Sequence, residues 1–169
     1  KVLAFALLAA AAAAFVPASR MVSAQEMMTL PIDGIRCDAS EGVVEHIHAH
    51  LQIFYRGRRV GVPAGVGIPY GAGCFYWLHT HTPDGIIHIE SPIRRTFTLG
   101  QFFDIWNQTL SPRQAAGAIA PAGRRLAIWV NGKRYAGNPR SIVLRDQEEI
   151  VIQSGPPYGK PVGYDWSQL

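Results

Sequence analysis

Glu45-His-Ile-His-Ala-His-Leu-Gln-Ile-Phe-Tyr55 alternates polar and apolar residues without a break from His46 to Ile53. Successive side chains of a β-strand point to opposite faces. In a strand running from Val43 to Tyr55, His46, His48 and His50 therefore share one face, and Ile47, Ala49 and Leu51 share the other. A strand with aliphatic groups on one side and imidazoles on the other belongs to a sheet with one buried face and one face available for chemistry.

A second stretch has the same character. Cys74 to His81 reads as a long strand with Trp77, His79 and His81 on one face and Leu78 and Thr80 on the other. Thr82-Pro-Asp-Gly85 is a turn signal, because Pro presets φ and Gly accepts positive φ. Ile86 to Glu90 is the predicted return strand, with His88 and Glu90 on one face and Ile87 and Ile89 on the other. Across such a hairpin His81 meets His88, so His79, His81 and His88 converge locally.

All six histidines of the chain fall between positions 46 and 88. Imidazole is the commonest metal-binding side chain, and histidines meeting from neighbouring strands suit Zn²⁺ with an open fourth position or Cu²⁺ in a tetragonal field. His46, His48, His50, His79, His81 and His88 form the candidate ligand pool. Six exceed the needs of one ion, so either a second ion binds or some histidines orient the ligands, as Glu45, Glu90 and Asp84 could. No Met lies near the cluster in sequence, which argues against a blue-copper centre and against Cu⁺. Two metal-free readings compete: a buried polar network of histidines and carboxylates, and a cluster that titrates near neutrality.

The start of the chain reads as a secretion signal: Lys1, the apolar run Val2 to Val16, then Val22-Ser-Ala24 before a cleavage point at Gln25. The run is shorter than the roughly 20 residues of a membrane span. Removing 24 of 169 residues leaves 145, enough for one domain with a core. The loss of Lys1 and Arg20 lowers the formal net charge from +4 to +2. Without a Lys/Arg run interleaved with aromatics, nucleic acid is not an expected partner. Cys37 and Cys74 suit an oxidising compartment and a disulfide, the rival being a thiolate metal ligand. Secreted or periplasmic location follows, with a metal ion as partner and a periplasmic or membrane protein as the recipient if the ion is delivered.

Residues 25–42 read as an irregular lead-in, 43–155 as a single metal-binding domain and 156–169 as an extended tail. Thr98-Leu-Gly-Gln101 fits a capping box, followed by Leu99, Phe102, Phe103, Trp106 and Leu110 at helical spacing. Ser111-Pro-Arg-Gln114 predicts a short second helix. Asn131-Gly132 predicts a hairpin between Leu126–Val130 and Lys133–Tyr135, and Ile142–Leu144 and Glu149–Gln153 complete the strands. The predicted class is α+β: a mixed, mostly antiparallel sheet with one main helix packed on it, the alternative being a small β-barrel or sandwich. The second half, through Val130-Asn-Gly-Lys133 to Leu144-Arg-Asp-Gln-Glu-Glu-Ile-Val151, resembles the β-grasp (ubiquitin-like) arrangement, in which a helix crosses a mixed sheet.

His79-x-His81 with His88 resembles in spacing the three-histidine layout of α-type carbonic anhydrases, and His79-x-His81 alone resembles cupins, whose Glu and Gly spacing is absent. The stretches Glu45-His-Ile-His-Ala-His50 and Leu78-His-Thr-His-Thr-Pro-Asp-Gly-Ile-Ile-His-Ile-Glu-Ser-Pro92 resemble a family of small secreted bacterial and archaeal proteins. That resemblance extends to Phe97-Thr-Leu-Gly-Gln-Phe-Phe-Asp104 and implies no mechanism. Three functions remain: a protein that buffers, stores or delivers copper or zinc; a metalloenzyme using metal-bound water with Glu45 or Glu90 as base; and an interaction module with structural histidines.

Overall fold

The computed structural model describes Ser23, residues 26–27 and residues 29–169. Apart from Ser23, the signal segment read at residues 1–24 lies outside them. Among the described residues no helix is long and apolar enough to cross a membrane. In chain order the strands begin with β1 (Cys37–Asp38), β2 (Glu45–Tyr55), β3 (Arg58–Val60), β4 (Phe75–Tyr76), β5 (Leu78–His79) and β6 (Ile86–Ser91). Helix α1 (Leu99–Ile105) follows, then β7 (Leu110–Ser111), β8 (Gln114–Ala115), β9 (Ala118–Ile119), β10 (Ala127–Val130), β11 (Lys133–Tyr135) and β12 (Glu148–Ser154).

The long alternating strand organises the main sheet, whose order is β11-β10-β12-β2-β6-β5. Along one edge of β2 runs β12, parallel, from Glu148 beside Ala49 to Ser154 beside Tyr55. The other edge is shared: β6 pairs antiparallel with the first half of β2 and β3 with the second. The domain is thus α+β, a mixed and mostly antiparallel sheet with α1 on one face. Ala49, Leu51, Ile53, Ile87, Ile89, Ile150 and Ile152 face α1 and form one core with Phe97, Leu99, Phe102 and Phe103. Each fully buried side chain of this size stabilises by roughly 1.5–3 kcal/mol.

The helix starts at its capping box: Gln101 N–H donates to Thr98 Oγ1 at 3.4 Å, and Thr98 N–H donates to Gln101 Oε1 at 3.0 Å. Asn131 and Gly132 take φ of 49° and 73° between the paired Val130 and Lys133, as a tight hairpin requires. Gly85 is fixed twice over: its φ is 99°, and a Cβ there would lie 2.4 Å from the Leu51 carbonyl oxygen.

Three sequence expectations are corrected. The Cys74–His81 stretch is not one strand, because it changes partner at Trp77: β4 pairs with β1 and β5 with β6. No helix follows Ser111. Its Oγ accepts from the N–H groups of Arg113 and Gln114, closing a two-residue turn between β7 and β8. A hydroxyl that caps a helix serves a turn equally well. Ile142–Leu144 makes a single bridge, Thr98 with Val143, rather than a strand.

The sheet face opposite α1 is partly covered by the C-terminal segment. The Gln52 side chain donates to Val162 O at 2.7 Å and accepts from Val162 N at 3.1 Å, and Gln153 holds Gly159 in the same way. The cover reaches His50, whose ring centroid lies 5.3 Å from that of Tyr164.

Candidate metal centre

Strand register gathers the histidines. His48 of β2 is directly opposite His88 of β6, and His88 is opposite His79 of β5, so three imidazoles form one row across three strands. The next row pairs His46 with Glu90. His81, just beyond β5, turns back over the row with its ring centroid 4.7 Å from that of His79 and 4.6 Å from that of His88.

The Nε2 atoms of His79 and His81 lie 3.1 Å apart. His79 Nδ1 lies 2.9 Å from the Tyr76 carbonyl oxygen. A carbonyl can only accept, so Nδ1 carries the proton and Nε2 presents its lone pair. This is how a ligating imidazole is oriented from behind. Glu41 Oε1 lies 3.1 Å from His81 Nε2 and 3.5 Å from His79 Nε2. Ligand nitrogens on a tetrahedral zinc ion at 2.0–2.1 Å are about 3.3–3.4 Å apart, so these separations match a shared ion.

Glu90 Oε1 lies 3.1 Å from His88 Nδ1 and 3.4 Å from His46 Nε2. Two ligand groups result, each with donor atoms within 4.8 Å of one another: His79, His81, His88 and Glu90, and His46, His48 and Glu90.

Burial sets the protonation states. It lowers the His79 pKa to about 4 and, reinforced by the surrounding histidines, that of His88 to about 3. His48 is lowered by burial and then by His46. At neutral pH these three are neutral, the form that binds metal. Glu90 is raised, first by burial and next by Glu41.

Some sequence candidates stand apart. His50 shares the histidine face but has Ile86 and Glu149 as strand neighbours; its Nδ1 lies 2.7 Å from Glu149 Oε2 and its ring packs near Tyr164. It joins neither group. Glu45 has the parity of Ile47, so alternation sets it on the opposite side of β2 from the imidazoles. Asp84 accepts the Ile86 N–H at 3.0 Å and shapes the turn.

Glu41 was not read from sequence as a site residue. The Cys37–Cys74 disulfide and the β1–β4 pairing bring its segment against His79 and His81. Gly42 permits the close approach, since a Cβ there would lie 2.2 Å from the Ser91 carbonyl carbon. A carboxylate four residues after one half of a disulfide, with histidines shortly after the other half, was the available signal.

Comparison with family models, curated proteins and solved structures returned no match to this chain.

Proposed function

We propose that this chain is a secreted or periplasmic metal-binding protein that holds copper or zinc on its histidine face, for buffering or delivery. The observation behind this reading is the convergence of His79 Nε2, His81 Nε2 and Glu41 Oε1 within 3.5 Å, with the His79 Nδ1 proton directed to a carbonyl. His88, neutral through burial, is the third imidazole. Neutral imidazoles with carboxylate support suit borderline divalent ions. His81 is 40% exposed and His46 53% exposed at the rim, which supports exchange of the ion with a partner. The disulfide supports an oxidising compartment.

The parallel pairing of the first long strand with the last, and the helix on the sheet between them in sequence, support the β-grasp resemblance. The motifs of both histidine stretches support membership in the family of small secreted prokaryotic proteins. The place of Glu90 beside His88 Nδ1 at 3.1 Å and His46 Nε2 at 3.4 Å favours a second reading, a metalloenzyme in which a bound ion would supply an activated water and Glu90 would be the general base.

The test is elemental analysis of protein secreted natively and purified without a histidine tag or chelator. Near-stoichiometric copper or zinc that is lost in a His79→Ala/His81→Ala variant supports the reading. Protein that neither retains nor takes up either ion better than that variant overturns it, leaving a structural histidine network.

A further inference from the structure

Glu90 stands between two ligand groups rather than within one. It lies on β6, the strand flanked by β2 and β5, and it belongs both to the His79, His81 and His88 group and to the His46 and His48 group. Its carboxylate touches both: Oε1 lies 3.1 Å from His88 Nδ1 and 3.4 Å from His46 Nε2, and Oε2 lies 3.9 Å from His79 Nε2. Carboxylates in this position join metal ions that sit about 3.5–4 Å apart in two-metal sites.

We infer that the histidine face holds a pair of divalent ions, copper or zinc, with Glu90 as the bridging carboxylate. One ion takes His79, His81 and His88, and the other takes His46 and His48. The inference rests on the metal reading above and adds the second ion and the bridge.

Two further observations carry it. Five imidazoles and two carboxylates exceed the four ligands of a tetrahedral ion, and each of the five imidazoles belongs to one of the two groups that share Glu90. Among the described residues every ion pair of Glu41 and Glu90 is with a histidine, and neither faces a Lys or Arg. Glu90 is only 6% exposed, and a bound cation would offset the cost of burying its carboxylate.

The experiment is titration of the metal-stripped protein with Cu²⁺, followed by electron paramagnetic resonance. The expected result is two equivalents bound, with spin intensity falling as the second enters and a half-field transition appearing from the coupled pair. His46→Ala/His48→Ala, at the open rim of the sheet, should bind one equivalent at full spin intensity while keeping the wild-type circular dichroism spectrum. Glu90→Gln should abolish the coupling. Saturation of the wild type at one equivalent, removed by His79→Ala/His81→Ala, overturns the pair and leaves the single-ion reading intact. Two equivalents with independent spins overturn the bridge. Binding no tighter than that of His79→Ala/His81→Ala overturns both.

Discussion

The imidazoles of His79 and His88 stack, with centroids 5.4 Å apart and ring planes within 10° of parallel, at the register position where β5 and β6 pair. The sequence pattern suggested His81 as the partner of His88 across the turn. In the structure eight residues separate the paired positions of β5 and β6, and His79 takes the paired place. His81 is thereby free to fold over both rings, which turns a flat row of imidazoles into a concave ligand set.

Metal should stabilise the fold. Ion at a hundred times its dissociation constant adds about 2.7 kcal/mol, which raises Tm by roughly 5–10 °C for a domain of this size. Calorimetry with and without added Zn²⁺ measures this, and His79→Ala/His81→Ala should show almost no shift.

Acid should destabilise the metal-free protein through its histidines. His79 and His88 titrate at about 4 and about 3 when folded, against 6.5 for the free side chain. Below pH 6.5 the unfolded chain binds more protons than the folded one. Stability is therefore full above pH 6.5 and declines as pH falls through the folded values. Glu90 and Glu148, raised by burial, act in the opposite sense and blunt the slope. Urea midpoints measured in chelator should drop between pH 7 and pH 4; constant midpoints would show that these imidazoles are not buried.

Glu41→Gln should weaken metal binding by roughly ten-fold or more, as loss of a supporting carboxylate does. The carboxylate is 38% exposed, so thermal stability without metal should change little. Competition against a chromophoric chelator measures the affinity. Wild-type affinity in the variant would remove Glu41 from the site.

Cys37→Ser/Cys74→Ser should cost both stability and affinity. Opening a loop of 37 residues removes about 3–4 kcal/mol in the chain-entropy model. The same change releases the segment that presents Glu41, so metal affinity should fall even at temperatures where the variant is folded. Equal affinity in the two proteins would mean that β1–β4 pairing alone holds that segment.

His50→Ala should separate fold from function. His50 is 4% exposed and paired with Glu149, so the change should destabilise by about 1–3 kcal/mol through the lost bond. Metal content should remain that of the wild type. A stoichiometric loss of metal would place His50 among the ligands.

Period-two alternation in residues 45–55 and 86–90 was enough to assign two strands, their buried faces and the shared face of the histidines, because side-chain direction along a strand is a local property. Capping at Thr98, the Asn131-Gly132 hairpin and the α+β class were legible for the same reason: each depends on residues within a few positions. Ser111 was misread because a hydroxyl followed by Pro satisfies the backbone of a turn as readily as that of a helix, and only the pairing of β7 with β8 selects between them. The parity of Glu45 was available in the same alternation that grouped the histidines.

The alternating stretches by themselves determined which histidines share a face and which residues lie on the buried side. Tertiary structure decided which of them meet. Pairing of β2, β6 and β5 sets His48, His88 and His79 in one row, disulfide tethering adds Glu41, and Glu149 takes His50 out of the cluster. Side-chain direction follows from the backbone of one strand. Register between strands depends on contacts from distant parts of the chain, and no local pattern encodes it.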